Sequence, residues 1–298
     1  MRDDVSIPFQ LGRPALRGRL VRLGPAVDSV LRRHDYPASV SGLLGELLTL
    51  CAMLGDALKF EGVFSLQVRG DGLVPLLFAD ITHEGRLRGY ARVAEGGMSD
   101  DAATSAQLLG DGVLALTVDQ ADQKEPYQGI VELRPGGLVD SMLGYFRNSA
   151  QIPTGLVLHV APVAQDGGVA WRAGGLLLQR MPTEQRHSVE GPVEDWRRAM
   201  LLMGSVTPEE LVDPGLAPER LLYRLFHEEE PRVFKDHELR FGCRCSRTRV
   251  ARMLASFPDG ERADLRGEAG VVEVTCQFCS TAYHFDDVDL AALSRGAL

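Results

Sequence analysis

The chain has no surplus of basic charge: 32 Lys and Arg stand against 41 Asp and Glu in 298 residues, a formal net charge of -9. Nucleic-acid binders normally present a basic face, so no nucleic-acid partner is expected. Arginines 244, 247, 249 and 252 do form a local basic run. Basic and acidic residues nearly balance across 241–298, so that run reads as a solvated helix face. Also missing are a G-x-x-x-x-G-K-[ST] phosphate loop, an H-E-x-x-H pair and a G-x-S-x-G elbow. Nothing therefore points to ATP use or to an enzyme of those classes. The opening MRDDVSIPFQ is of mixed charge and lacks the apolar region of a secretory signal. The most apolar stretch, around 42–55, contains Glu46 and is short for a bilayer span. A cytoplasmic protein without a membrane partner is expected. No repeat or low-complexity tract is visible. With 45% apolar and 24% charged residues the chain is globular, long enough for one large domain and a smaller one.

Cysteine is scarce, and its placement carries the most information. Cys51 stands alone in an apolar stretch and reads as a small buried hydrophobe. The other four are Cys243 and Cys245 as C-x-C, and Cys276 and Cys279 as C-x-x-C. Zinc is held tetrahedrally by thiolates, and two short knuckles can deliver four sulfurs to one point. The same spacing permits two local disulfides, and four cysteines allow three pairings in all. A chain with two chemical states is thus open, one reduced and zinc-bound, the other oxidised and metal-free. A reducing compartment favours metal ligands or redox switches over permanent disulfides. His237 and His284 are rival ligands, although four sulfurs already complete a structural site.

The pattern along the chain predicts an α+β protein in three parts: an N-terminal mixed domain over 1–182 with a largely antiparallel sheet, a helical linker over 183–240, and a zinc module over 241–298. Apolar residues Leu43, Leu44, Leu47, Leu48, Cys51 and Leu54 recur at helical steps in 38–60. Strands are expected at 63–69, 73–80, 86–93, 113–118, 129–133, 156–161 and 169–178, with a helix at 138–149. Asp71-Gly72 is a hairpin signal between the first two strands, and Asp111-Gly112 precedes a later one. In the linker, Thr207-Pro208-Glu209-Glu210 is a capping box with proline at the first helical position, and Pro218 opens another helix. A third helix, 194–203, presents Trp196, Met200 and Met203 in an exposed row. Helices this short are marginal alone, so the linker is expected to fold only against its neighbours. In the last block, Ser246 caps a helix over 247–256, strands flank the C-x-x-C as a hairpin, and Asp286 or Asp287 starts a final helix. About 55 residues make a small core, and a metal is a common remedy.

The chain resembles the 33-kDa heat-shock chaperones, redox-regulated holdases of the bacterial cytosol. The resemblance rests on Leu221-Leu-Tyr-Arg-Leu-Phe-His-Glu-Glu-Glu230, Phe241-Gly-Cys-Arg-Cys-Ser-Arg-Thr-Arg249 and Val274-Thr-Cys-Gln-Phe-Cys279 with Tyr283 and Phe285. Ala173-Gly-Gly-Leu-Leu-Leu-Gln-Arg-Met-Pro182 and Tyr127-Gln-Gly-Ile-Val131 fit as well. One departure stands at Ala150, where the family usually has an acidic residue. The resemblance implies that Cys243, Cys245, Cys276 and Cys279 bind one Zn2+ when reduced and that the protein is then inactive. Under oxidative stress, Cys243–Cys245 and Cys276–Cys279 disulfides release the metal. The module and linker then unfold, the chain forms a homodimer, and unfolding client proteins are held without ATP. Trp196, Met200, Met203, Leu221, Leu222, Leu225 and Phe226 are the candidate client contacts. A structural zinc ribbon without redox switching is the rival reading. A thiol–disulfide oxidoreductase fits less well, because Gln277-Phe278 lies between strand patterns rather than opening a helix.

Overall fold

Residues 38–57 carry two charged side chains, Glu46 and Asp56, and an almost unbroken set of apolar ones. Such a helix must be enclosed on all sides. The computed structural model describes residues 2–12, 16–58, 60–94, 104–120, 122–123, 125–165, 167–181, 191–267 and 270–294. Helix α2 (Ala38–Ala57) lies between two sheets, and 14 of its residues are buried. At 20 residues it is long and apolar enough to cross a membrane, and it ends three residues short of the expected 38–60. Its surface is instead taken up by the fold. Cys51 is fully buried on it, as expected, and burial pushes its thiol pKa well up.

The chain divides into two compact units, Met1–Phe241 and Gly242–Leu298. In the first unit, one sheet contains β1 (Val5–Gln10), β2 (Leu16–Leu23), β8 (Thr154–Gln165) and β9 (Gly168–Arg180). Its order is β10-β1-β2-β9-β8, where β10 is Arg232–Val233, and β11 (His237–Glu238) also pairs with β1. The second sheet contains β3 (Gly62–Gly70), β4 (Leu76–Thr82), β5 (Arg86–Arg92), β6 (Gly112–Gln120), β7 (Tyr127–Glu132) and β12 (Arg240–Phe241). Its order is β12-β5-β4-β3-β6-β7. All pairings are antiparallel except that of β12 with β5. In β3 and β6 the apolar residues alternate, so Phe64, Leu66, Val68, Leu114, Leu116 and Val118 share the core with α2. Helix α1 (Pro25–Leu31) follows β2. Helix α3 (Ser105–Leu109) starts from a Thr104–Gln107 capping box, and α4 (Gly137–Tyr145) continues into a π turn at Phe146–Ala150. Ala150 closes that turn, partly buried against the main core, where an apolar side chain fits.

Asp71-Gly72 does lie between β3 and β4, but not as a two-residue turn. The connection runs over residues 71–75, and the two Asp-Gly loops pack on each other. The Asp111 N–H donates to Asp71 Oδ1 at 2.7 Å, and the Asp71 N–H donates to the Asp111 carbonyl at 3.0 Å. A Cβ on Gly72 would meet the Leu108 carbonyl oxygen at 2.6 Å. Loop contact, rather than hairpin twist, therefore demands the glycine.

The first sheet is apolar on both faces, as the run Leu176–Leu178 suggests. One face joins the main core. The other, with Ile7, Phe9, Leu20, Leu176 and Leu178, is covered by α5 (Gly191–Met203), α6 (Pro208–Val212) and α7 (Pro218–Phe226). The Thr207 capping box and the Pro218 start are present. The expected exposed row on α5 is not: Met203 is 2% exposed and Trp196 and Met200 pack against this second core. The helix has a sheet to rest on, which the periodicity of 194–203 alone does not reveal. Residues 182–190, which include the start of the expected linker at 183, lie outside the described residues.

The second unit holds α8 (Arg247–Ala255), α9 (Asp259–Asp264), the hairpin β13 (Val272–Thr275) with β14 (Ala282–Phe285), and α10 (Asp287–Ser294). Its buried core is small: Ala251, Leu254, Val272, Phe285 and Leu290. Ser246 caps α8 by accepting from the Arg249 N–H at 3.2 Å.

Candidate metal centre

Two different local structures bring the four thiols together. Cys243 and Cys245 lie in the irregular segment leading to Ser246, where the Cys245 N–H donates to Cys243 Sγ at 3.5 Å. Cys276 and Cys279 sit in the tight turn between β13 and β14. The Cys276 N–H donates to the Thr281 carbonyl at 2.9 Å, and the Ser280 N–H to the Cys276 carbonyl at 2.8 Å. Ser280 takes φ 55° to close that turn. The hairpin is extended by Arg247, whose guanidinium lies 4.4 Å from the Phe285 ring centre, donates to the His284 carbonyl at 2.6 Å and pairs with Asp289 at 2.5 Å.

All four sulfurs lie within 4.8 Å of one another. Cys243 Sγ is 3.7 Å from Cys276 Sγ, and Cys245 Sγ is 3.3 Å from Cys279 Sγ. A sulfur–sulfur bond is about 2.05 Å long. The edge of a zinc–thiolate tetrahedron with bonds of about 2.3 Å is roughly 3.8 Å. The four thiols are not joined in disulfides and are arranged as ligands. Among the described residues no imidazole or carboxylate joins them. His284 faces Glu273 across the hairpin at 3.6 Å, and His237 pairs with Asp56 in the other unit. An all-sulfur, closed donor set is the chemistry of a structural metal site and fits zinc.

The surroundings differentiate the thiols. Burial pushes the Cys245 thiol up to about 12, against the pull of the Tyr283 hydroxyl, which donates to its sulfur at 3.1 Å. Bonding to that sulfur raises Tyr283 itself to about 12. Burial raises Cys276 as well. Burial also raises Cys279, but there the Thr281 hydroxyl, 3.2 Å from the sulfur, and the Thr281 backbone outweigh it, together with Cys245 and Cys243. Cys279 falls to about 7. It is the sulfur most readily present as thiolate at neutral pH, the form that binds metals and attacks oxidants.

Of the candidate client contacts, Met203, Leu221, Leu222, Leu225 and Phe226 are buried, and Trp196 and Met200 are partly buried. Phe226 stacks on Phe9 with ring centres 5.7 Å apart. The sequence reading missed the other half of this cluster, the sheet residues Ile7, Phe9, Leu20, Leu176 and Leu178. It also missed two arginines that fasten the cover. Arg22 is 1% exposed and donates to the carbonyls of Glu210, Leu211, Asp213 and Leu216 at 2.6–2.8 Å. Arg172 donates to the Val212 carbonyl at 2.8 Å and pairs with Asp3. Buried charge at the centre of an apolar strand run was the available signal.

A two-sheet domain with a covered apolar face, followed by a four-thiol module, defines a class of protein with a metal-sized sulfur cluster and no assembled catalytic group among the described residues. A family profile described as Hsp33 protein matches residues 4–286, and the chain belongs to that family. It is 39% identical over 293 residues to a 33 kDa chaperonin of Caulobacter vibrioides, covering 95% of each chain. It is 40% identical over 282 residues to a 33 kDa chaperonin of Pseudomonas fluorescens, covering 94% of this chain and 90% of that one. The crystal structure of a 33 kDa chaperonin from Thermotoga maritima has the same fold, with a TM-score of 0.80 at 24% identity over 99% of both chains.

Proposed function

We propose that this protein is an ATP-independent holdase whose activity is switched by the oxidation state of Cys243, Cys245, Cys276 and Cys279. The observation that carries the reading is the gathering of four thiols, within 4.8 Å, in a module whose apolar core has five buried residues among those described. Such a core needs a staple. Zinc held by four thiolates would supply on the order of 10–16 kcal/mol of apparent binding free energy, which becomes folding free energy.

An oxidant meets thiolates, because all four sulfurs are deprotonated when they hold the metal. The Cys279 thiolate attacks one oxygen of a peroxide; the O–O bond breaks, hydroxide leaves and takes up a proton as water, and Cys279 becomes a sulfenic acid. The Cys276 sulfur then attacks Cys279, forming the disulfide and expelling a second water. The same two-electron exchange with a second peroxide joins Cys243 and Cys245. In the folded module the partners of each local pair already lie in the same 4.8 Å cluster, so each pair closes from ligand spacing to a bond. The thiolates consumed no longer coordinate, and the module loses its fold.

The linker, 183–240, is the second element of the switch, between an N-terminal domain over 1–182 and the module over 241–298. Its helices are short and rest on the apolar face of the first sheet. Their departure uncovers Ile7, Phe9, Leu20, Leu176 and Leu178 and frees Trp196, Met200, Met203, Leu221, Leu222, Leu225 and Phe226. Flexible apolar surface containing methionine suits partners of varied sequence. The opened protein dimerises in the cytoplasm and holds unfolding clients. The test is suppression of aggregation of a heat-unfolding client, without ATP, before and after peroxide with mild warming. Activity only after oxidation is the expected result. Equal activity, or none, in both states would leave a structural zinc ribbon.

A further inference from the structure

Residues 232–241 form a strap that covers the outer edges of both sheets of the first unit. Along β1 the strap pairs Val233 with Phe9 and Arg232 with Gln10, then Glu238 with Val5 and His237 with Ser6. It then crosses to the other sheet, where Arg240 and Phe241 run parallel to Arg86 and Leu87 of β5. Its backbone makes the bonds. The Phe234 N–H donates to the Pro8 carbonyl at 2.9 Å, the Leu239 N–H to the Asp4 carbonyl at 2.7 Å, and the Arg240 N–H to the Gly85 carbonyl at 2.9 Å.

Between residues 232 and 238 the strap's side chains contribute little packing, whereas Phe241 at its end packs against the main core beneath Arg33. Val233 is 46% exposed and Phe234 51%, and Lys235, Glu238 and Arg240 are exposed too. Leu239, 4% exposed, is the one buried anchor. Arg2 with Asp236, and Asp56 with His237, pin it by ion pairs. Each of its three strands is two residues long. An uncovered sheet edge is a ready template for another strand, and proteins cover such edges for that reason. Backbone pairing on an edge reads extension rather than sequence.

We infer that the edges of β1 and β5 are a binding site for an extended segment of unfolded polypeptide, and that residues 232–241 occupy it as a built-in stand-in. This rests on the holdase reading and names the client chemistry: backbone amides of an extended chain, added as a strand, with side chains left largely in water. Leu239 lies four residues before Cys243, so loss of the module frees the strap from its C-terminal end.

The test uses the full chain and a fluorescent peptide copy of the strap, RVFKDHELRF, with two controls. One control is scrambled. The other is N-methylated at the positions of Phe234, Leu239 and Arg240, which keeps every side chain and removes the three donors. The oxidised chain is expected to bind the copy and the scrambled peptide within about threefold of each other, and the N-methylated one at least tenfold more weakly. The copy should also compete with a heat-unfolding client. In the reduced state, Leu239→Ser should bind the copy at least fivefold more tightly than the parent, because it releases the strap without oxidation. Equal binding of the N-methylated peptide would overturn the inference in favour of side-chain capture. So would no binding by an oxidised chain that still suppresses aggregation, or an unchanged affinity in Leu239→Ser. A copy that dissolves a dimer while leaving client holding intact would assign the edges to a second copy of the chain and also overturn it. Failure of the holdase reading is distinguishable, since it shows as no suppression of aggregation in either redox state.

Discussion

Arg22→Met removes the clasp that holds the helical cover on the first sheet. The guanidinium reaches the carbonyls of Glu210, Leu211, Asp213 and Leu216, which follow one another around the end of α6 and the turn before α7. Burial and the neighbouring Arg172 depress its pKa, and those carbonyls together with Asp3 and Asp213 offset this. Each hydrogen bond from a charged donor contributes about 1.5–3 kcal/mol, and four of them would naively sum to twice what a single substitution costs. The desolvation of the guanidinium is recovered on its removal, which brings the expected loss to about 3–5 kcal/mol. Methionine fills the space but leaves the carbonyls unanswered. Because all four belong to the cover, the loss falls on its docking rather than on the main core. At about 1.4 kcal/mol per factor of ten, 3 kcal/mol raises the open population more than a hundredfold. Hydrogen exchange of the reduced protein should accelerate by that order across 205–226 and stay unchanged across β3 to β6. Aggregation suppression should appear without oxidant. An exchange rate within about threefold of the parent over 205–226 would refute the clasp, since a single lost hydrogen bond already exceeds that.

Glu46→Gln tests one of the two partly buried carboxylates of α2, the other being Asp56. Burial raises its pKa from 4.5 to about 7, so the folded state binds a proton that the unfolded state has released between those values. Stability of the parent therefore falls as pH rises from about 4.5 to 7, by about 3 kcal/mol at most, and then levels. Glu46→Gln should flatten that slope in denaturant melts taken at several pH values, and an unchanged slope would refute it. Tyr283→Phe removes the hydroxyl that donates to Cys245 Sγ, and should weaken zinc affinity about tenfold in competition with a chromogenic chelator. Removing the metal altogether should collapse the dispersed amide signals of 242–294 in an NMR spectrum while those of β3 to β6 persist; a spectrum that keeps them would mean the five-residue core is sufficient.

The cysteine module was legible in the sequence almost entirely. Knuckle spacing is a statement about ligand geometry, and the Ser246 cap, the β13–β14 hairpin and the start of α10 are each signalled within a few residues. The alternating strands β3 and β6 and the apolar helix α2 were legible for the same reason, since burial imposes a period on the chain. What escaped depends on distant partners. β2 carries charges at Arg17, Arg19 and Arg22 that blur its alternation, because one arginine is buried against carbonyls and another pairs with Asp56. The row Trp196, Met200 and Met203 is amphipathic by itself, and nothing local says that a sheet face waits beneath it. Strands as short as β10, β11 and β12 have no period to read, and only the edges they cover define them.

The most direct test of the account follows zinc release, hydrogen exchange and client holding together in one sample during peroxide oxidation. Close to one zinc per chain should leave, exchange should rise across 191–241, and aggregation suppression should grow in step with both. Full client holding while the zinc remains bound and 191–241 stays protected would contradict it.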